Sequence, residues 1–570
     1  MDRLSRRICC LPKSASSHTA VALGSNLGDR FQNIETALRL LEHPRNVFQV
    51  SDPELPDKAF LSIVNTSFLY ESAPMYVTDQ PAFVNCVVLI NTNLQPTALL
   101  SLFKKVEVLV SRVPSIRNGP RAVDLLLYDE DVVDTRSPEK RINLDNLQGE
   151  LVVPHPRIRE REFVLRPLYN YQRASHRSKR RRVRTNATSH SFPKVPFTFY
   201  PGSLLFHRSR TSNIDILDIS VPSTSSRQLR SKPRNQKYRT YLMSTLNTTP
   251  DSFSDGSRHN TSPTALGYAL SSYQQGANIL DIGGYSTRPG AAFVSPDEEV
   301  NRVVPVVEAI RNGDLSSDTE GPKDMLISLD TFRPEVAEAG ILAGANCIND
   351  VYAFSGPVYP TSSVEETNSA SLHDNKTPAM YTSEMKTIAR KYAVPVVLMH
   401  SRGDAGSNKD YSAYSYSQDS PVIEAIRIEL GPKVDQIVLG PSGVRRWLVI
   451  VDPGVGFSKT VEGNLDILRD AGRVVSDVMV GLLGKQRRNP LVGYPQLVGA
   501  SRKSFLGKIL EEGTKDKDKE KGGRQTKPDE RTFATAAAVS AAVQQGALVV
   551  RVHDVREMGD VVQVADRIWK

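Results

Sequence analysis

The 570-residue chain reads as an α/β protein in which a small α+β domain precedes a C-terminal TIM (β/α)8 barrel. Three observations predict this. Beyond residue 240, eight short apolar runs recur, each ending in polar residues, with helix-compatible stretches between several of them. Between residues 19 and 170, strand-like and helix-like pieces alternate in mixed order, as in a small α+β unit. Residues 171–237 are rich in Ser, Arg, Pro and Asn and carry little apolar periodicity, the composition of a basic disordered linker. The expected organisation is therefore an extension over 1–18, a domain over 19–170, a linker over 171–237 and the barrel over 238–570.

The first segment holds Arg3, Arg6, Arg7, Lys13, several serines and one acid, Asp2. This composition suits a mitochondrial transit peptide or a plain disordered extension, so a mitochondrial location is expected, with the cytoplasm as the alternative. In the next segment, 19–23 and 84–91 read as strands, and 30–41 and 96–110 carry helical periodicity. The barrel strands are expected at 241–246, 278–282, 325–329, 345–348, 394–399, 447–451, 497–499 and 547–552. Helices fit 263–275, 296–311 and 334–343. Three stretches interrupt the rhythm, at about 355–390, 403–446 and 511–530, and read as surface insertions without catalytic content.

Charge and cysteines narrow the function classes. The net charge is +9, but 15 Lys and Arg against two acids, Asp215 and Asp218, lie within residues 172–237. The excess therefore belongs to the linker and not to a folded nucleic-acid-binding surface, so a solvated linker is preferred over RNA contact by the run at 177–184. Cys9, Cys10, Cys86 and Cys347 form no CxxC pair, which supports neither a zinc site nor a disulfide framework. No apolar run approaches the roughly 18 residues of a membrane helix, so no membrane partner is expected.

In a TIM barrel the chemistry sits just past the C-terminal ends of the strands. Taken in order, those ends offer Asn247 to Asp255; Asp281, Gly283, Gly284, Thr287 and Arg288; Asp330 and Thr331; Asn349 and Asp350; and His400. Asp452 to Phe457, then Ser501 to Ser504, then Arg551 and His553 complete the set. One Asp after a strand is commonly a helix cap; polar clusters at eight successive strand ends are harder to explain that way. Arg288, Arg551 and His553 suit a phosphate-like anion. Asp330, Asn349, Asp452 and Lys503 suit a flat, nitrogen-rich heterocycle, because a carboxylate accepts paired N–H donors while Asn and Lys satisfy other ring atoms. Asn247 is a neutral oxygen ligand that could help hold Mg2+ beside a diphosphate.

The ordered motifs TLNTTPDSFSDG, DIGGYSTRPGA, SLDT, IND, DPGVGF, GASRKS and RVHD resemble those of dihydropteroate synthase, over residues 241–570. Tyr285 stands where many bacterial members carry Glu, a departure not expected to affect the chemistry. The resemblance implies that Asn247 binds Mg2+ and, with Arg288, Arg551 and His553, the diphosphate. It places the pterin among Thr287, Asp330, Asn349, Asp452 and Lys503. Thr249, Pro250, Phe253, Ser254, Phe457 and Ser504 would lie on the p-aminobenzoate side. The catalytic groups it implies are Lys503, Arg551 and His553, and it implies a homodimer formed through the barrel.

Residues 19–170 resemble 6-hydroxymethyl-7,8-dihydropterin pyrophosphokinase, through 22–29, 70–85, 117–128 and 153–168. The pair matches bifunctional folate enzymes of fungal or plant type. This resemblance implies a ferredoxin-like fold with ATP as co-substrate and Mg2+. Ser72, Phe83, Asn85 and Phe163 would contact the pterin; Glu107, Arg112, His155, Arg157 and Arg161 would face ATP; Arg121 and Asp124 would be catalytic, Asp124 also as a metal ligand. In some fungal members an aldolase domain precedes these two, and residues 1–18 are too short to hold one.

One departure bears on the kinase chemistry. The family pattern after Gly-Pro-Arg is two residues, then Asp-Leu-Asp. Here Arg121 is followed by Ala122, Val123, Asp124, Leu125, Leu126, Leu127, Tyr128 and Asp129. Leu126 takes the slot of the second carboxylate and cannot ligate, and Asp129 would point the wrong way on a regular strand. Two residues of the family pattern are absent here, so the domain reads either as a weak or dead kinase or as an active one whose gap is an error in the coding sequence, with a monofunctional synthase carrying a kinase-like domain as the alternative.

Overall fold

Alternating apolar residues in the N-terminal part build a sheet covered on both faces. The computed structural model describes residues 17–48, 59–75, 78–110, 122–129, 131–137, 139, 141, 150–158, 160–169, 171, 197–199, 239–248, 262–286, 293–312, 322–357, 376–403, 405–482, 485–512 and 523–570. The chain divides into two compact units, Met1–Leu204 with Gln436–Trp447 and Gly481–Arg488, and the remainder.

In the first unit, β1 (Ser17–Ser25) pairs antiparallel with both β4 (Phe83–Thr92) and β5 (Ala122–Tyr128). The other edge of β4 receives β2 (Leu61–Thr66) and β3 (Tyr70–Ser72). Helices α1 (Arg30–Glu42) and α2 (Pro96–Leu109) bury Leu38, Leu41, Leu99 and Phe103 against Val21, Val88 and Ile90. The opposite face packs Ala20 and Val87 with Ile158, Val164 and Leu168, the last two on α3 (Glu162–Tyr169). The neighbours Ala20 and Val21, like Val87 and Val88, thus serve opposite layers, the period-2 pattern of a strand. The result is the expected ferredoxin-like arrangement. The entry to α1 is fixed locally, where Asp29 accepts the Phe31 and Gln32 N–H groups at 3.1 and 3.0 Å.

Beyond β6 (Val133–Asp134) and β7 (Val152–Val153), which pair antiparallel, the segment expected to be a structureless linker contributes a strand. β8 (Phe197–Phe199) pairs antiparallel with β3. Its Phe-Thr-Phe alternation is a strand signal too short to stand out from the polar composition around it. The basic run at 177–184 lies outside the described residues.

The second unit is an all-parallel barrel. Its strands are β9 (Tyr241–Asn247), β10 (Ile279–Gly283), β11 (Leu326–Asp330), β12 (Cys347–Asp350), β13 (Val396–Met399), β14 (Val449–Asp452), β15 (Leu497–Val498) and β16 (Val549–Val552). Parallel pairing runs from β14 through β9 to β16 and β15, and a parallel bridge between Val451 and Gln496 joins the ends. Met243, Ile279, Cys347, Val397, Ile450, Leu497 and Val549 pack into one buried apolar cluster. Each of the eight runs read from sequence is a strand, with ends shifted by up to two residues.

Two of the supposed insertions are corrected. The stretch at 355–390 contains most of a helix, Pro378–Tyr392, and that at 403–446 contains another, Pro421–Val438. Both occupy the βα-repeat position between consecutive barrel strands. The second was hard to read because a Tyr- and Ser-rich stretch precedes it. Residues 358–375 and 513–522 lie outside the described residues.

Candidate active site

The strand registers bring several of the expected strand-end residues to one rim. Asp330 is the register partner of Asn349, and Met399 that of Asp452, so third- to sixth-strand ends stand side by side. Across the interior, Arg551 Nε donates to Asp281 Oδ2 at 2.6 Å, and its Nη2 donates to Asp330 Oδ2 at 2.7 Å. Asn349 Nδ2 donates to the same Asp281 oxygen at 3.1 Å. Asp281 is fully buried, and sequence reasoning gave it no role. Its position inside the buried run of β10, two residues before Gly283, was the available signal: a carboxylate in an otherwise apolar strand needs a cation. Arg551 therefore holds two carboxylates, a job the sequence did not assign to it.

Asp452 faces a different environment. It is buried, its Oδ1 accepts the Gly454 N–H at 2.7 Å, and burial pushes its carboxyl up to about 6, against the pull of that N–H and of Lys503. Burial likewise pushes Asp330 upward, with Arg551 opposing. Lys503 lies with Nζ 4.3 Å from the centre of the Phe457 ring, a cation–π contact. Gly456 makes that approach possible: its φ is +83°, and a Cβ there would stand 2.8 Å from Lys503 Cδ. Ser504, the first residue of the helix Ser504–Glu512, is exposed next to Lys503.

His553 is oriented by a second residue without an assigned role. Its backbone N–H donates to Ser501 Oγ at 3.2 Å, and its Nδ1 lies 3.1 Å from the same oxygen. The shared oxygen fixes the orientation of the His553 ring. Arg502, between Ser501 and Lys503, is bound to Asp554 at 2.5 and 3.2 Å. Asn247 ends β9 opposite Gly283. Thr287 and Arg288, like Thr249, Pro250, Phe253 and Ser254, lie outside the described residues. Tyr285 covers the buried Arg333 guanidinium at 5.0 Å, and Arg333 pairs with Glu299 at 2.7 Å.

In the first unit, Ser72, Phe83 and Asn85 meet where β3 pairs with β4. Asn85 Nδ2 donates to Ser72 Oγ at 2.9 Å, and both residues are buried. Arg161 lies over the Phe163 ring at 5.7 Å. His155 donates its backbone N–H to Leu126 O, and its Nδ1 accepts the Arg157 N–H at 3.2 Å. Glu107 is buried on α2, 3.1 Å from Lys104. Arg112 and Arg121 lie outside the described residues, as does the Asp124 side chain; the Asp124 backbone pairs with Ala22 in β5.

Around the missing carboxylate the structure is specific. The β1–β5 register slips by one residue at Leu126, a β-bulge. Leu126 is buried in the apolar cluster with Ala20, Ile158 and Val164. Asp129 has φ +44° and accepts the His18 N–H at 2.7 Å, which ties it to the start of β1. Among the described residues, no three His, Cys, Asp or Glu side chains converge as a metal centre.

Known families carry the same two patterns. Residues 243–553 match the model of the pterin binding enzymes, and residues 20–173 match that of 7,8-dihydro-6-hydroxymethylpterin-pyrophosphokinase. The Folate synthesis bifunctional protein, mitochondrial, of Arabidopsis thaliana is 33% identical over 98% of this chain and 84% of its own length. The Folic acid synthesis protein fol1 of Pneumocystis carinii is 32% identical over 96% of this chain, which spans 60% of that longer protein. The Dihydropteroate synthase of Synechocystis sp. is 37% identical over 58% of this chain and 91% of its own length. The chain therefore belongs to the bifunctional folate-synthesis enzymes, with a 7,8-dihydro-6-hydroxymethylpterin-pyrophosphokinase domain preceding a pterin-binding, dihydropteroate synthase-type barrel.

Proposed function

We propose that the chain carries out two consecutive steps: transfer of diphosphate from ATP to 6-hydroxymethyl-7,8-dihydropterin, then condensation of the product with p-aminobenzoate to dihydropteroate. The supporting observation is the rim itself, where a buried Asp452, the Arg551-linked carboxylates and Lys503 surround one end of the barrel. Asp452, Asn349, Asp330 and Lys503, with Thr287, take the pterin edge. Arg288, Arg551, His553 and Asn247 take the diphosphate. Phe457 and Ser504 flank p-aminobenzoate. The bond between the pterin CH2 and the diphosphate oxygen breaks, its electron pair leaving with diphosphate. The aniline nitrogen lone pair forms the new C–N bond, and its surplus proton goes to solvent. The protein contributes orientation and stabilisation of the leaving anion, with no side-chain nucleophile.

Asn247 fits Mg2+ as a neutral oxygen donor, and the ion would supply charge neutralisation beside the diphosphate. The kinase unit fits its metals less well, since β5 offers Asp124 while Leu126 is committed to the core. The kinase step is therefore expected to be the slower of the two. Incubating the purified chain with pterin diphosphate, p-aminobenzoate and Mg2+ tests the condensation; substituting the pterin alcohol plus ATP tests the first step. Asp124→Asn is expected to lower ATP-dependent transfer by about 10–100-fold and leave condensation unchanged. No detectable transfer by the parent chain would favour the second reading, a monofunctional synthase, which the burial of Leu126 supports.

The proposed homodimer has a suitable surface in the barrel unit. Leu465, Leu468, Leu506, Ile509, Leu510 and Ala538 line an apolar groove between three helices, and Phe533 beside it is 90% exposed. Ala537→Glu in that groove is expected to shift the chain from dimer to monomer in light scattering after gel filtration. A mass unchanged by the substitution would remove this surface from consideration. A mitochondrial location is proposed from the composition of residues 1–18 and accords with the Arabidopsis relative's name.

A further inference from the structure

The loops following β13 and β14 share a buried polar chain that the proposed chemistry does not use. Lys459 Nζ donates to the Phe457 carbonyl at 2.9 Å and lies 3.2 Å from His400 Nδ1. His400 Nε2 lies 2.8 Å from Glu429 Oε2. Glu429 also accepts both Nε and Nη2 of Arg402, and the Tyr414 hydroxyl at 2.7 Å. Lys459 and His400 are 5% and 2% exposed.

The hydrogen positions follow from this order. An ionised carboxylate only accepts, so His400 Nε2 carries the hydrogen that goes to Glu429. In a neutral ring Nδ1 is then the acceptor, and Lys459 supplies its donor. Burial and the adjacent Lys459 keep His400 neutral, lowering it to about 4. Burial alone would raise Glu429, but hydrogen bonds from His400 and Arg402 hold it well below the usual carboxylate range. The chain is thus satisfied from Arg402 to the Phe457 carbonyl.

We infer that Lys459 is a positioning residue of the condensation site, holding the Phe457 main chain so that its ring shapes the p-aminobenzoate side, and that His400, Glu429 and Arg402 hold Lys459 in turn. The inference rests on the proposed placement of p-aminobenzoate beside Phe457. Phe457 is gripped from two directions: Lys459 takes its carbonyl, and Lys503 lies over its ring. The turn between them has no slack. A Cβ on Gly454 would stand 2.0 Å from the His400 carbonyl oxygen, and Gly454 has φ +72°. The next loop fastens the same turn, because Ser458 N–H donates to Ala405 O at 2.8 Å and the Tyr411 hydroxyl donates to Ser458 O at 3.0 Å. The 403–446 stretch, read from sequence as devoid of catalytic content, supplies Tyr411, Tyr414 and Glu429 to this support.

The test is steady-state kinetics of Lys459→Met in the full chain, with both substrates varied. Methionine keeps the unbranched stem and removes both hydrogen bonds. KM for p-aminobenzoate should rise about tenfold, while KM for the pterin diphosphate stays within twofold of the parent. His400→Gln should give the same split at smaller size, since the amide still accepts from Lys459, and it keeps the test open if Lys459→Met does not fold. Equal rises in both KM values, or a lower melting temperature with neither KM changed, would overturn the inference. Absence of condensation by the parent chain would instead remove the functional reading on which it rests.

Discussion

Replacing Arg551 by methionine is expected to cost the barrel about 3–5 kcal/mol at pH 8, the usual penalty for breaking a buried ion pair from one side, and markedly less at pH 5. Arg551 bonds Asp281 at 2.6 Å and Asp330 at 2.7 Å, and Asp281 has no exposed surface. Without the guanidinium, the two carboxylates face each other with Asn349 as the remaining donor to Asp281. Burial already raises the Asp330 carboxyl in the parent, with Arg551 opposing, and loss of the guanidinium raises it further. For an acid raised further in the variant, the added penalty is full above the variant's pKa and vanishes below the parent's value of about 7. Denaturant midpoints of parent and variant at pH 5 and pH 8 measure this directly. A variant as stable as the parent at pH 8, or one penalised equally at both pH values, would contradict the assignment of Arg551 as the cation shared by Asp281 and Asp330. Condensation should fall by at least about 100-fold in the same variant, because the rim loses both a cation and the fixed position of Asp330.

That arrangement also marks the limit of what the sequence discloses. The barrel was legible because buried parallel strands must be apolar runs, and eight of them ending in polar groups constrain the architecture strongly. The rim residues were legible for the same reason: strand ends are fixed positions. What the runs do not disclose is which polar side chains are spent on each other. Arg551 and His553 both read as anion ligands, but the runs do not disclose that one also holds two carboxylates and the other is oriented by Ser501. Those partners lie 52 to 270 residues away in sequence, and no local period reports such a distance. Two helices around the barrel, Pro378–Tyr392 and Pro421–Val438, were less legible than the strands, because long polar stretches precede both and hide their start. In the kinase unit the missing carboxylate was visible in the sequence, but the burial of Leu126 required the bulge in β5, which shifts the strand's alternation by one residue.

Protonation of Asp452 should weaken pterin binding about tenfold per pH unit below pH 6, and Asp452→Asn should remove that contribution to the slope. Burial holds the Asp452 carboxyl at about 6 in the free site, even with the Gly454 N–H and Lys503 favouring its ionised form. Paired N–H donors from a pterin edge bind the carboxylate and not the acid, so a bound pterin lowers this pKa. Above about 6 the Asp452 carboxyl of the free site is already ionised and adds no further slope. Below it, each binding event must first release a proton, and affinity falls tenfold per unit until the lower pKa of the complex is reached. An asparagine offers one oxygen acceptor and turns an N–H2 group towards donors, which costs about 1.5–3 kcal/mol for the lost charged hydrogen bonds, roughly 10- to 150-fold in affinity. Having no proton to exchange, it leaves binding independent of this step. Calorimetric titration with an unreactive pterin from pH 5 to pH 8 distinguishes the cases. The same slope in parent and Asp452→Asn would show that another group titrates, and a flat parent profile between pH 5 and pH 6 would show that the carboxylate does not meet the pterin.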